Sequence, residues 1–251
     1  FSLAPRINAA GRIEHGNKAV ELLVQQDFSI AKEKADYIDN HNFSRKELDK
    51  SITREALAMI VQGANSTVVC NEKWHKGVVG IVASRLIETH YRPTIVLTES
   101  NGKLTGSARS VSGFDIYNAI DACSDLIEQF GGHKYAAGLT LKKENLTAFI
   151  QRFEEVVSTT ITAEMQIPKI NIDLEMPMQD ITIKTYRIIE QMAPFGPSNC
   201  RPIFMTKGVI DNGSGRLIGQ DKNHLKLAIT NTSSSKTLDG IGFGMSDYFS
   251  T

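Results

Sequence analysis

The sequence predicts an α/β domain, with helices packed on a sheet, that follows a long helical connector and precedes a small β-rich domain. Three observations predict it. A highly charged segment from about Ser29 to Gln62 contains neither glycine nor proline. Short β-branched runs alternate with helical periodicity between Ser66 and Thr159, the pattern of a sheet covered by helices. Beyond Pro168, short strands are linked by Asn, Gly and Ser, the texture of small β-barrels and sandwiches.

Taken in order, residues 1–12 (FSLAPRINAAGR) are small and polar and read as a turn and helix start. From Asn17 the chain turns helical, with Ala19, Leu22 and Leu23 at helical spacing. The charged segment has only sparse apolar residues, Ile30, Ile38, Leu48, Ile52, Leu57 and Ile60. It reads as a long, largely exposed helix between two domains, or as an ordinary amphipathic helix pair on one of them. Strands follow at Ser66–Cys70, Thr94–Thr98, Leu104–Ser110 and Tyr135–Leu141. Helices are expected at Gly77–Thr89, Phe114–Phe130 and Glu144–Thr159, the second with Ile116, Ala119, Ile120, Cys123 and Ile127 on one face. A helix at about Ile183–Met192 then precedes strands near Ile203–Ile210, Arg216–Leu217, His224–Thr230 and Leu238–Phe243. The links Asp211–Gly215 and Asn231–Ser235 supply the turns.

Composition narrows the function. With 251 residues, 41% hydrophobic and 22% charged, the chain is a soluble globular protein of one large or two ordinary domains. Lys plus Arg equals Asp plus Glu at 28 each, so any nucleic-acid affinity rests on local patches. The cysteines (Cys70, Cys123, Cys200) are distant and odd in number, which argues against a disulfide framework or a zinc site and for a reducing cytoplasm. No apolar run approaches a membrane span and no signal peptide is visible. Phe1 in place of an initiator methionine, and an end at Ser250–Thr251 just after an apolar run, suggest a piece cut from something longer.

Chemistry is confined to three clusters. The six histidines are scattered, and no Asp-x-Asp, Asp-His-His, Gly-x-Ser-x-Gly or phosphate loop occurs. Trp74-His75-Lys76-Gly77-Val78-Val79-Gly80 sits where a loop enters a helix. A helix start can hold a phosphate, the glycines would admit it, and His75 and Lys76 add donors; a loop with a core tryptophan explains the residues equally well. In Gly106-Ser107-Ala108-Arg109-Ser110, Arg109 flanked by Ser107 and Ser110 can grip a phosphate, although the five residues read more readily as an edge-strand arginine in water. In Phe130-Gly131-Gly132-His133-Lys134-Tyr135-Ala136-Ala137-Gly138, Gly131 suits the left-handed end of the preceding helix. Gly132 and the Ala-Ala-Gly have no such explanation, and His133 on a small-residue loop suits contact with a phosphate or a base.

In order, PRINAAGR, WHKGVVGIVASRLIE, YRPTIVL, GSARS, FGGHKYAAGLTL and PFGPSNCRPIF resemble the RecJ-type single-stranded-DNA exonucleases of the DHH phosphoesterase superfamily, from Pro5 to about Phe243. The resemblance implies the tail of a catalytic DHH domain in residues 1–16 and a connector helix region in 17–62. It implies a DHH-associated α/β domain with a mixed sheet in 63–162, and a nucleic-acid-binding OB-type domain in 165–251, truncated at its end. It also implies a parent that degrades single-stranded DNA from the 5′ end in repair and recombination, using manganese or magnesium held by an N-terminal domain. The metal-ligand motifs of that domain are absent here. The expectation is therefore a C-terminal fragment that holds no metal and binds DNA without cutting it. By resemblance Arg109 and His133 face the metal cleft, and Arg6 and Arg12 stand on the wall across it. Single-stranded DNA is the implied partner, with a single-strand-binding protein or a helicase beside it and no membrane.

Three other readings remain. A phosphodiesterase of short oligonucleotides or cyclic dinucleotides shares the Gly-Gly-His loop but usually lacks a trailing β domain. A pure single-strand-binding module would need neither the connector nor PRINAAGR. An aminoacyl-tRNA editing protein would show zinc-ligand spacing. Phe195, Phe204, Phe243, Tyr248 and Phe249 are the aromatics of the last domain, and some of them must fill its barrel.

Overall fold

The computed structural model describes residues 3–231 and 234–249. Phe1 and Ser250–Thr251, on which the expectation of cut ends rests, lie outside them, as do residues 232 and 233 of the Asn231–Ser235 link. The chain divides into two compact units, Phe1–Pro168 and Lys169–Thr251.

The first unit begins with three helices, α1 (Leu3–Ile13), α2 (Asn17–Leu23) and α3 (Phe28–Ala58). PRINAAGR is therefore helix throughout rather than a turn leading into one; Pro5 falls in the first turn, where a missing N–H costs nothing. Asp27 caps α3, its side chain accepting from the Ile30 N–H at 3.0 Å. At 31 residues α3 is the longest element, and one buried stripe (Ile38, Asn42, Asp49, Ile52, Ala56) runs along it. Ile38 packs with Ala10 and Ala19. Farther along, Ile52 and Ala56 join the core formed with Val78, Val82 and Leu86. Between them Asp49 is buried and takes two 2.8 Å bonds from Arg85, which satisfies a charge that burial alone would penalise. The expected connector thus lies wholly within the first unit and joins two of its cores.

The sheet follows, with β1 (Thr67–Cys70), α4 (Val79–Thr89), β2 (Thr94–Ser100), β3 (Lys103–Arg109), α5 (Ile116–Asp121), β4 (Gln129–His133), β5 (Ala136–Leu141) and α6 (Leu146–Thr160). Strand order is β1-β2-β3-β5-β4, with β1 and β2 parallel and the other pairs antiparallel. This is a mixed sheet. Asn101 and Gly102, both at positive φ (55° and 76°), close the β2–β3 hairpin, the Asn-Gly turn whose twist matches the strands. One face carries Ile95, Leu97, Leu104, Ala108, Leu139 and Leu141 against Ile116 of α5 and Phe149 and Phe153 of α6. On the other face the core formed with α4 and α3 takes in only Val69 of β1 and Val96 of β2 from the strands.

The expected helix Phe114–Phe130 ends at Asp121 and is followed by a short 3-10 turn and by β4. Its apolar period runs on to Ile127, but the glycines Gly131 and Gly132 favour extended chain over helix, and β4 supplies the outer partner of β5. Gly131 is consequently a strand residue, not a helix cap. The glycine demanded by geometry is Gly132, at φ 152°, where an added Cβ would lie 2.3 Å from the Ala136 carbonyl oxygen and 2.5 Å from the Ala137 Cα.

The second unit contains β6 (Leu174–Glu175), α7 (Ile183–Glu190), β7 (Phe204–Met205), β8 (Val209–Asp211), β9 (Arg216–Ile218), β10 (His224–Asn231) and β11 (Ser234–Gly242). β10 is central, pairing antiparallel with β11, β8 and β9, and β6 pairs with β7. The expected strand Ile203–Ile210 is two strands interrupted at Gly208, whose φ is 65°. Asp211 accepts from the N–H groups of Gly213, Gly215 and Ala228 at 2.9 to 3.0 Å. These bonds hold its carboxyl below the usual carboxylate range and fix the β8–β9 turn.

The two adjacent glycines should separate in a denaturant melt. Gly132→Ala is expected to cost about 1–3 kcal/mol, from the clash and the backbone strain together. Gly131→Ala, whose Cβ would meet nothing within 4 Å, should stay within about 0.5 kcal/mol of the parent. Equal losses would contradict the hairpin geometry.

Candidate functional site

The site forms where the end of α1 meets the loop before α4. That loop is pinned from below: Trp74 is buried, its indole N–H donates to Glu55 at 2.9 Å, and its carbonyl accepts from the Thr98 hydroxyl at 2.6 Å. Within the loop, His75 Nδ1 accepts from the Gly77 N–H at 3.1 Å. From above, Arg12 Nη1 donates to the Gly77 carbonyl at 3.3 Å. The backbones nearly touch, since a Cβ on Gly77 would lie 1.9 Å from the Arg12 carbonyl oxygen.

Arg109, at the end of β3, points toward the same place. Its Nη1 donates to Ser107 Oγ at 2.7 Å and to the Ala108 carbonyl at 2.8 Å. Gly80 in the first turn of α4 makes room for it, because a Cβ there would lie 3.0 Å from Arg109 Nη2 and 3.1 Å from Ser107 Oγ. Burial, and secondarily the positive charge of Arg12, push the Arg109 guanidinium below its usual range. Arg12, His75, Lys76, Ser107 and Arg109 line one cleft of about 460 Å³. Among the described residues no carboxylate pairs with Arg12, Lys76 or Arg109. Glu14 also lines the cleft, but it accepts from the Tyr37 hydroxyl at 2.7 Å and stands 3.9 Å from His41 Nε2. Two forked guanidinium groups and an ammonium beside a serine hydroxyl are chemically suited to a phosphate-like anion.

The sheet continues the cleft as an open floor. Arg109, Ala136 and His133 occupy one cross-strand row, and Ser107, Gly138 and Gly131 the next. Facing residues of adjacent strands point to the same side, so His133 shares the face of Arg109, two strands or about 10 Å away. His133 is exposed, and its Nδ1 accepts from the Tyr135 N–H at 3.2 Å. A Cβ at Gly131 would meet nothing, and one at Gly138 only the Gly106 carbonyl at 3.7 Å. Contacts among the described residues therefore do not require these two glycines.

The structure thus brings Arg12, His75, Lys76, Ser107 and Arg109 together and sets His133 and Gly131 on the adjoining floor. Gly132 faces the core side of the sheet. Ser110 donates to the Phe114 carbonyl at 2.8 Å and closes the turn after β3. Arg6 pairs with Asp39 of α3 and is not among the residues that line the cleft. The room attributed to a ligand in the Trp74–Gly80 cluster belongs to protein: Gly77 admits the Arg12 carbonyl, and Gly80 admits Arg109 and Ser107. Gly11, Glu14 and Thr105, also in the lining, carry no sequence signal of their own.

An α/β domain of this topology joined to a small β domain defines a class, and comparison with known proteins specifies it. A DHHA1 domain model matches residues 58–159 and a RecJ OB domain model matches residues 172–251. The single-stranded-DNA-specific exonuclease RecJ of Bacillus subtilis is 41% identical over 249 residues, covering 97% of this chain and 31% of that protein. The RecJ of Haemophilus influenzae is 32% identical, covering 98% of this chain and 44% of its own length. Among solved structures, RecJ from Thermus thermophilus in complex with Mg2+ matches with a TM-score of 0.81 and 26% identity, over 97% of this chain and 37% of that one. An exonuclease RecJ bound to manganese matches with a TM-score of 0.59 and 31% identity, over 66% of this chain and 44% of that one. The chain is a DHHA1 domain followed by a RecJ OB domain. It belongs to the RecJ family, consistent with a C-terminal RecJ part, and spans less than half the length of the curated relatives it matches. Those structures contain divalent metal, whereas among the described residues no group of three or more His, Cys, Asp or Glu side chains could hold one.

The cleft can be tested as an anion site on this chain alone. Pyrophosphate titrated at low ionic strength should perturb the Gly77, Gly80 and Ser107 amides, and Arg109→Ala should weaken binding about tenfold or more, the worth of a charged hydrogen bond. Unchanged affinity in that variant would place the anion elsewhere.

Proposed function

We propose that this chain is the substrate-holding part of a single-stranded-DNA-specific 5′ exonuclease, which hydrolyses phosphodiester bonds in DNA repair and recombination. The observation that carries the reading is the cleft in which Arg12 and Arg109 converge with no carboxylate paired to either among the described residues. A phosphate of the terminal or scissile nucleotide fits there, and the strand runs over the glycine floor past His133. The metal, manganese or magnesium, is held by residues of the parent beyond this chain. When bound it supplies the activated water and charge neutralisation that phosphodiester hydrolysis needs. The residues here orient the phosphate and compensate its charge, and alone they do not cut.

The second unit supports the same reading. Its register sets Arg216, Lys226 and Ile241 in one row across β9, β10 and β11. Beside that row the exposed Phe243 ring meets His224 edge-on at 5.3 Å. Cations interleaved with an accessible aromatic are what single strands bind without sequence preference. A single-strand-binding protein or a helicase is the proposed source of the strand, and the cytoplasm the proposed setting. Among the described residues no helix is long and apolar enough to cross a membrane.

On 5′-labelled single-stranded DNA with manganese, the intact parent carrying Arg109→Ala or His133→Ala should turn over about 100-fold or more slowly. The isolated 251-residue chain should release no nucleotides. Wild-type rates in both variants, or digestion by the purified chain, would reject the assignment. In filter binding, Phe243→Ala should weaken single-strand affinity by about 1–3 kcal/mol, and affinity should fall steeply with salt. An unaltered affinity in that variant would remove Phe243 as a stacking platform.

A further inference from the structure

The first unit has a second prepared surface, lined by other residues than the cleft, at the β1 edge of the sheet. β1 is an edge strand. Thr67 and Asn71 direct their N–H groups to the Pro93 and Leu97 carbonyls along β2. The parallel pattern therefore turns the N–H and C=O of Val68 and Cys70 outward, and among the described residues nothing accepts or donates to them. Natural edges are usually blunted by lysine, proline, a bulge or a covering loop. Thr67-Val68-Val69-Cys70 has no lysine, proline or bulge.

A cleft of about 550 Å³ runs along this edge, between the chain leaving α3 and the side of α6. Its walls are apolar, with Met59 and Val61 exposed at 44% and 69% on one side and Ile150 on the other. Its rim is firmly built. Arg92 donates to Thr67 Oγ1 at 2.7 Å, to the Val61 carbonyl at 2.8 Å, and to the Ala64 carbonyl. Glu154 accepts from the Asn65 and Ser66 N–H groups at 2.8 and 2.9 Å and from the Ser66 hydroxyl at 2.5 Å. A loop fixed this tightly beside an open edge is pre-organised to receive a strand. No lysine or arginine lines the cleft; two carboxylates do. Glu154 is fully engaged, and Glu155 has no partner among the described residues.

We infer that the β1 edge is a docking site for an extended segment of a partner protein, which adds a strand beside Val68 and Cys70. Alternate apolar side chains of that segment enter the cleft, and a lysine or arginine reaches Glu155. Backbone bonds give such a guest its affinity and the side-chain pockets its selectivity. A second copy of this chain fits poorly, since two-fold pairing of β1 edges brings carboxylate-lined clefts together while the rim cation, Arg92, is already engaged by the Thr67 hydroxyl and the Val61 and Ala64 carbonyls.

The probe is an acetylated octapeptide alternating valine with threonine and lysine, added to the full chain and followed by amide exchange and NMR. Exchange at Val68 and Cys70 should slow about tenfold or more at saturation, with shifts at Met59 and Ile150. Glu155→Lys, a surface change that leaves the core intact, should weaken the peptide about threefold to fivefold. Three results would overturn the proposal. One is no protection of the Val68 and Cys70 amides by the peptide at millimolar concentration. A second is protection that rises with chain concentration without peptide, which indicates a second copy. The third is protection already present in the longer parent alone, which indicates a segment of the parent itself.

Discussion

The site depends on one close approach, the Arg12 carbonyl against the Cα of Gly77. Every other residue at position 77 would put a carbon 1.9 Å from that oxygen, well inside any tolerable contact. Glycine there lets α1 reach the loop before α4, and the Arg12 side chain then bonds back to the Gly77 carbonyl at 3.3 Å. The helix end and the loop become one wall. Without that contact α1 would keep its packing on α3 through Ala10, Ile38 and the Arg6–Asp39 pair, but Arg12 would lose its tie to the loop and the cleft would have one cation wall instead of two.

What the wall faces is electrostatically unfinished. Arg109 is half-buried, and its hydrogen bonds go to neutral acceptors, a serine hydroxyl and a backbone carbonyl. Arg12 raises the cost of its charge further. A protein built for stability alone would set a carboxylate here, as this one does for Arg85 with Asp49. Glu14 is close enough to line the cleft, yet Tyr37 and His41 hold it. Two guanidinium groups left without an anion gain most when an anion arrives, because the protein has already borne the desolvation.

Much of this was legible in the sequence, and the failures have physical causes. β1, β2, β3 and β5 appear nearly at their expected limits, because each is a short β-branched or small-residue run between turn residues. The long α3 was visible from its lack of glycine and proline. Phe114–Phe130 misled because apolar spacing that suits a helix through Cys123 continues by coincidence to Ile127, while strand pairing with β5 decides the fate of residues 129–133. The cluster residues His75, Lys76, Ser107 and Arg109 were recognisable by type. The purposes of Gly77 and Gly80 were not, since each glycine answers a residue distant in sequence, Arg12 for one and Arg109 for the other.

The remaining glycines then separate by what their missing side chains would touch. Gly132 is required by its own hairpin, and Gly106 by β2, where a Cβ would meet the Val96 carbonyl at 2.2 Å. Gly131 and Gly138 are required by no contact among the described residues. They lie on the side of the sheet where the helix-backed core takes in β1 and β2 but no residue of β3, β5 or β4. A two-layer sheet ordinarily buries such a face or studs it with long polar side chains. Here the uncovered rows end instead in Arg109, Ser107 and His133, around a patch of bare backbone. A surface smooth enough for close contact, bounded by an arginine, a serine and a histidine able to donate to phosphate and open on one side, suits a polyanionic strand under the proposed function.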